Sequence, residues 1–141
     1  AVKAELLKIW QGYYSAQKDG GKTDASTNYR VSRMKEILTY MNAHFCEDLE
    51  IAELASQFHM SESAFCRFFK SIMHISAVTY VNNLRIAESC RLLLSTEEAI
   101  SKIASDCGFR NISYFNRVFQ ERMHQTPGQF RSLSAENRTA I

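Results

Sequence analysis

Residues 51–80, IAELASQFHMSESAFCRFFKSIMHISAVTY, and residues 100–130, ISKIASDCGFRNISYFNRVFQERMHQTPGQF, are one pattern written twice. Ile51, Leu54 and Ala55 fall over Ile100, Ile103 and Ala104. After one extra residue in the second turn, Phe65, Arg67, Phe69, Met73, His74 and Tyr80 fall over Phe115, Arg117, Phe119, Met123, His124 and Phe130. Within each copy the apolar residues recur at helical spacing in two short stretches with a break between them. Ser61 stands where it can cap the second stretch of the first copy, and Asn111 where it can cap that of the second. Each copy reads as a short helix, a tight turn and a second helix, the helix-turn-helix pattern.

Outward from the repeat, the joining segment from about Ala77 to Leu94 carries two apolar stripes, Tyr80-Leu84-Ala87-Leu94 and Ile86-Cys90-Leu93. A helix apolar on two sides must pack against two things, so each copy is expected to dock on one stripe. Upstream, STNYRVSRMKEILTYMNAHF puts Val31, Met34, Leu38, Met41 and Phe45 on one face of another helix. Ser95 and Glu98 have capping-box spacing for the helix through Ile100 and Ile103, Gly108 ends it, and Thr126-Pro127 opens a last short helix through Phe130. Residues 3–17 form a further amphipathic stretch with Leu6, Leu7, Trp10, Tyr13, Tyr14 and Gln17 roughly on one side. After it, KDGGKTDAST reads as a flexible linker. The expected fold is all-α: two helix-turn-helix subdomains joined by a long linker helix, about seven helices, preceded by a short N-terminal helix and linker. The expected organisation is a helical stub and linker over residues 1–28, a tandem helix-turn-helix domain over 29–134, and a C-terminal tail over 135–141.

Composition sets bounds. A chain of 141 residues, 45% hydrophobic and 23% charged, has the make-up of an ordinary globular protein and can bury a core. A formal net charge of +2 permits a nucleic-acid partner without arguing for one. Where the charge sits is more telling: residues 109–133 carry Arg110, Arg117, Arg122 and Arg131 against the single acid Glu121, while Glu47, Asp48, Glu50 and Glu53 cluster elsewhere. Cys46, Cys66, Cys90 and Cys107 are dispersed, each in a stretch read as helical, and are expected to be reduced, mostly core thiols of a cytoplasmic protein. With His44, His59, His74 and His124 they make no zinc spacing, and no cofactor or metal is expected. No apolar run is long enough to span a membrane. No nucleophile, base and orienting group stand together in the sequence and no glycine loop cradles a phosphate, so an enzyme is not expected.

The second helix of each copy carries the functional signal. With the aromatics removed, the first leaves Ser63, Cys66, Arg67 and Lys70, and the second Ser113, Asn116, Arg117 and Gln120. Both sets run i, i+3, i+4, i+7 along one helical face, and neither contains a carboxylate. Arg donates two bonds to guanine, Asn and Gln pair bidentately with adenine, and an anion there would meet phosphate repulsion. Glu62 either accepts from cytosine or favours the positive helix end. Ile112 either touches a thymine methyl or packs inward, and Asn111 joins the same edge. A groove-facing Cys66 would make this surface sensitive to oxidation or alkylation, whereas an incidental Cys66 would not. The rival class is a helical protein-interaction module built on the same helix-turn-helix pattern, which calls for acidic or apolar residues on these faces.

At IASDCGFRNISYFNRVFQERMHQTPGQFR, FHMSESAFCRFFK and YVNNLRIAESCRLLL the chain resembles the AraC/XylS transcription regulators, over roughly residues 30–133. The resemblance implies a regulator of promoter DNA, expected to activate, whose two lobes insert Ser63-Cys66-Arg67 and Ser113-Asn116-Arg117 into successive major grooves. It also implies contact with RNA polymerase, and an upstream sensing domain through which a homodimer would form. The chain opens without a methionine and directly in a helical pattern, and is expected to be part of something longer. His74 and His124 stand where such regulators usually have glycine, and Ala77 where they have proline, which leaves the local turn geometry open.

Overall fold

The computed structural model describes residues 25–139. Over them the chain forms seven helices and no strand: α1 (Ala25–His44), α2 (Ile51–Gln57), α3 (Glu62–Met73), α4 (Ala77–Ser95), α5 (Ile100–Asp106), α6 (Ile112–Met123) and α7 (Pro127–Thr139). The all-α architecture expected from the periodicity is the one observed. The amphipathic stretch over residues 3–17 lies outside the described residues.

The chain makes two compact units. The first takes the described residues 25–44 and 49–81, and so holds α1 to α3 and the start of α4. Its core is Met34, Ile37, Leu38 and Met41 of α1, Leu54 and Ala55 of α2, Phe65 and Phe69 of α3, and Ala77 and Val81 of α4. The second takes residues 45–48 and the chain from Asn82 onward. Its core joins Ile86, Cys90 and Leu93 of α4 to Ile103 and Ala104 of α5, Cys107 and Phe109 of the turn, and Phe115, Val118 and Phe119 of α6. Phe65, Phe69, Phe115 and Phe119 are fully buried, and removing each from water contributes roughly 1.5–3 kcal/mol as an upper value. The repeat extends to the ring packing: Phe69 lies 5.7 Å from Tyr80, and Phe119 lies 5.7 Å from Phe130.

Several local expectations are corrected or narrowed. The linker helix packs its Ile86-Cys90-Leu93 stripe in the second core as expected, and reaches the first core through Tyr80 of the other stripe. Its N-terminal turn, Ala77, Tyr80 and Val81, serves the first core, and Ile86, Cys90 and Leu93 further along serve the second. Ser95 and Glu98 form no capping box, because α4 runs on through Ser95; α5 starts after Ala99 without a side-chain cap. Glu98 instead pairs with Lys102, one turn on. Residues set apart as a tail from 135 continue α7 to Thr139, since nothing between Arg131 and Thr139 breaks a helix. Likewise α1 begins at Ala25, inside the stretch read as linker. Cys46 and Cys107 sit in turns, not helices, and only Cys90 and Cys107 are buried; Cys46 and Cys66 are exposed.

The two turns are built alike from different residues. Met60 N–H donates to Ala55 O and Phe109 N–H to Ala104 O, both at 3.0 Å. His59 N–H donates to Ser56 O and Gly108 N–H to Ser105 O, again at 3.0 Å. The left-handed position falls on His59 in the first turn (φ +59°) and on Gly108 in the second (φ +101°). His74 and His124 do take the left-handed cap, at φ +62° and +59°, and their N–H groups donate to Lys70 O and Gln120 O at 2.9 Å.

Candidate nucleic-acid interface

Helix α3 starts where it does because Ser61, in extended backbone, accepts the Ala64 N–H on its hydroxyl at 3.2 Å. Helix α6 starts after Asn111 for the same reason: its side-chain carbonyl accepts the Tyr114 N–H at 3.1 Å. Each cap is worth about 1 kcal/mol and sets the first residue of the outer face. Asn111 is therefore a capping residue in this structure, whatever else it touches.

With Phe65 and Phe69 turned into the first core, Ser63, Cys66, Arg67 and Lys70 are all exposed on one side of α3. With Phe115, Val118 and Phe119 turned into the second, Ser113, Asn116, Arg117 and Gln120 are all exposed on one side of α6. Within each helix the residues singled out from the sequence thus share one solvent face. Glu62 is exposed in the first turn of α3. Ile112 points outward, 42% exposed, and lines a cleft of about 410 Å³ with Ser101, Ser105 and Arg110. The arginines lie along their own helices. Arg67 Nε donates to Ser63 O at a long 3.4 Å, and the Arg117 guanidinium lies 5.1 Å over the Tyr114 ring. An exposed cation–π contact of this kind is worth about 0.5–1 kcal/mol, little enough for a stronger acceptor to displace.

Support for this face lies beneath it. Asn82, buried, donates its amide to the Tyr114 hydroxyl at 2.8 Å and so fixes the ring on which Arg117 rests. Arg85 donates Nε to Phe45 O at 2.7 Å and an η nitrogen to Glu47 O at 3.1 Å, with its guanidinium 5.7 Å from the Phe109 ring. Burial lowers the Arg85 pKa from its ordinary value, and Cys46, Tyr114 and Asp48 offset part of that. Neither Asn82 nor Arg85 stands out from the sequence, since neither falls on an apolar stripe of the linker helix.

The charge count of the second copy needs revision. Arg131 donates to Leu93 O and Thr96 O, both at 3.3 Å, and Arg122 donates to Asn83 Oδ1 at 2.7 Å. These two arginines are occupied in holding α6 and α7 to α4. Arg110 is exposed and paired with Asp48, so the basic character of the face rests on Arg117 and Arg110. Among the described residues no cluster of His, Cys, Asp or Glu is placed to hold a metal ion, and no helix is long and apolar enough to cross a membrane. Chemically, the two faces offer hydroxyl, amide and cationic groups at helical spacing, the set that reads base edges from a major groove.

A family model described as a helix-turn-helix domain matches residues 54–132. Among curated proteins, the regulatory protein PocR of Salmonella typhimurium is 32% identical over 121 residues, which are 86% of this chain and 40% of PocR. The C-terminal domain of AraT, a response regulator from Geobacillus stearothermophilus, is 28% identical with a TM-score of 0.68, over 72% of this chain and 84% of that one. The DNA-binding domain of AdpA, a global transcriptional factor solved in complex with a target DNA, shares the fold with a TM-score of 0.70 at 23% identity, over 74% of this chain and 95% of that one. The chain spans about two fifths of the length of curated relatives such as PocR.

Proposed function

The chain belongs to the AraC-type helix-turn-helix family, and from that premise we propose that it is the sequence-specific double-stranded DNA-binding part of a transcription regulator. One observation carries the reading: α3 and α6 repeat the same exposed face, Ser63-Cys66-Arg67-Lys70 and Ser113-Asn116-Arg117-Gln120, at matching positions and without a carboxylate. In this reading α3 and α6 are recognition helices that enter successive major grooves, with Arg67 and Arg117 as the principal base contacts. Glu62, Asn111 and Ile112 lie at the N-terminal ends of those helices, where such helices meet base edges. Each chain takes an asymmetric site of about two helical turns, with some bending of the DNA. PocR is named as a regulatory protein and AdpA is solved on a target DNA, and both support the assignment of this fold to promoter recognition. The domain acts by binding and not by chemistry, in the cytoplasm, as an activator that touches RNA polymerase, with any homodimer made through an upstream domain.

The test is equilibrium binding of the chain to a labelled pool of random duplexes across a salt series, with Arg67→Ala and Arg117→Ala in parallel. Phosphate contacts release counterions, so affinity should fall steeply with salt. Each substitution should weaken binding to a preferred duplex by roughly 5- to 150-fold, the loss of about 1–3 kcal/mol of base recognition. A folded chain that binds no duplex at low salt would overturn the reading and leave the protein-interaction module in its place.

A further inference from the structure

The two copies differ by one inserted residue, and the structure identifies it. His59 and Gly108 occupy the same place in their turns, as do Met60 and Phe109, while Ser61 and Asn111 are the matching caps. Between Met60 and Ser61 there is nothing; between Phe109 and Asn111 stands Arg110. The insertion puts an exposed arginine immediately before the N-cap of α6, on the turn that leads into the second outer face. The first copy has no counterpart.

This arginine has a built-in partner. Arg110 pairs with Asp48, both side chains about two-thirds exposed at 66% and 67%. Asp48 belongs to a four-residue segment, 45–48, that packs with the second unit. The segment is fastened from below: Arg85 takes the carbonyls of Phe45 and Glu47, the residue just before Asp48. Gly108 makes room for it, since a Cβ there would lie 2.8 Å from Phe45 O and 3.1 Å from Cys46 O. Asp48 is thus held against the turn by a clasped backbone.

We infer that Arg110 is a DNA-backbone contact peculiar to the second lobe, and that Asp48 is its internal competitor, holding the guanidinium until a phosphate replaces the carboxylate. The inference rests on the reading of α6 as a recognition helix. A residue just outside the N-cap of such a helix meets the phosphodiester strand at the groove edge, where arginines and helix N-termini supply most contacts. A surface ion pair shifts an equilibrium by no more than about fivefold, so the carboxylate tempers binding without abolishing it.

The experiment is a double-mutant cycle on duplex binding over a salt series, with Arg110→Ala, Asp48→Asn and both together. Both sites of change are exposed, and melting curves of all three variants should overlay the parent. Arg110→Ala should weaken binding several-fold and make the log-affinity against log-salt slope shallower by about one. Its deficit should then shrink roughly 3.5-fold between 50 and 200 mM salt. Asp48→Asn should tighten binding two- to fivefold, and should do nothing in the Arg110→Ala background. If Arg110→Ala keeps both affinity and slope while Arg67→Ala and Arg117→Ala lose affinity, the contact is absent and the inference falls alone. If Asp48→Asn helps equally with and without Arg110, the acid acts by general repulsion and the competition is refuted. If Arg110→Ala alters the preferred base sequence at an unchanged slope, the contact is to a base and the phosphate assignment is overturned. If Arg67→Ala and Arg117→Ala also change nothing, the recognition-helix reading has failed first.

Discussion

Replacing Gly108 by alanine should be among the most damaging single-methyl changes in the described chain, although the residue touches no proposed DNA contact. Its φ of +101° lies beyond the left-handed well that L residues tolerate, which costs on the order of 1–3 kcal/mol for a non-glycine residue. The added Cβ would also lie 2.8 Å from Phe45 O and 2.9 Å from Arg85 Nε. The carbonyl cannot swing away, and moving Arg85 breaks its bonds to Phe45 O and Glu47 O, each a hydrogen bond from a charged group worth roughly 1.5–3 kcal/mol. Strain plus one lost bond comes to about 2.5–6 kcal/mol. That is a large share of the 5–15 kcal/mol typical of a domain, taken here as an order of magnitude. The matching change in the first copy, His59→Gly, should be near neutral. It relieves a strained φ of +59° at about 1 kcal/mol and returns roughly as much in unfolded-chain entropy. Urea unfolding of both variants, followed by circular dichroism, reads the difference. A loss below about 1 kcal/mol for Gly108→Ala would refute the claim that this turn requires glycine for conformation and for close approach of residues 45–48.

Other consequences follow from the same contacts. Burial pushes the Cys90 thiol up to about 11 and the Cys107 thiol to about 12, while Cys46 and Cys66 are exposed. An aromatic disulfide reagent at pH 8 should therefore modify two thiols in the folded chain and all four in denaturant; equal rates at all four would contradict the packing. Because the folded thiols ionise later than the ordinary value of 9.0, their contribution to stability should be intact below pH 9 and lost as pH rises toward 11–12. Alkaline urea titrations of the parent and Cys107→Ala should differ in that window. Asn111→Ala should cost about 1 kcal/mol through the lost cap. Asn111→Asp should keep the stability yet weaken DNA binding by placing a carboxylate at the helix end; equal behaviour of the two would remove Asn111 from the interface. Tyr114→Phe leaves the buried Asn82 amide without its acceptor, and should cost roughly 1–3 kcal/mol by thermal or urea unfolding. A neutral result would mean the Asn82–Tyr114 bond does not order this face.

What the sequence discloses here is whatever recurs at helical spacing. Phe65, Phe69, Phe115 and Phe119 announce two cores because each pair repeats at four residues, and the faces opposite them follow by subtraction. Ser61 and Asn111 are legible as caps because short oxygen-bearing side chains have few other uses before an apolar run. Other features have no local signature. His59 takes a left-handed turn with no glycine to mark it, and is visible only by superposing its turn on that of Gly108. Arg122 and Arg131 count as positive charge in the sequence but spend it on Asn83 Oδ1 and on the carbonyls of Leu93 and Thr96, acceptors about 35 to 39 residues away along the chain. The partnership of Asp48 with Arg110 is more remote still along the chain, and the one-residue offset between the repeats is its single trace in the sequence. On the linker helix the Ile86-Cys90-Leu93 stripe is legible as the second core's, whereas a stripe read on a helical wheel does not say where along the axis the first core ends.

The central claim is that α3 and α6 read DNA as a pair. The most direct measurement is selection of bound duplexes from a random pool by this chain, sequenced beside selections by Arg67→Ala and Arg117→Ala. Two paired recognition helices should select a two-part motif with its halves about one helical turn apart, one half lost in each variant. A single undivided motif, or one that survives both substitutions unchanged, would contradict it.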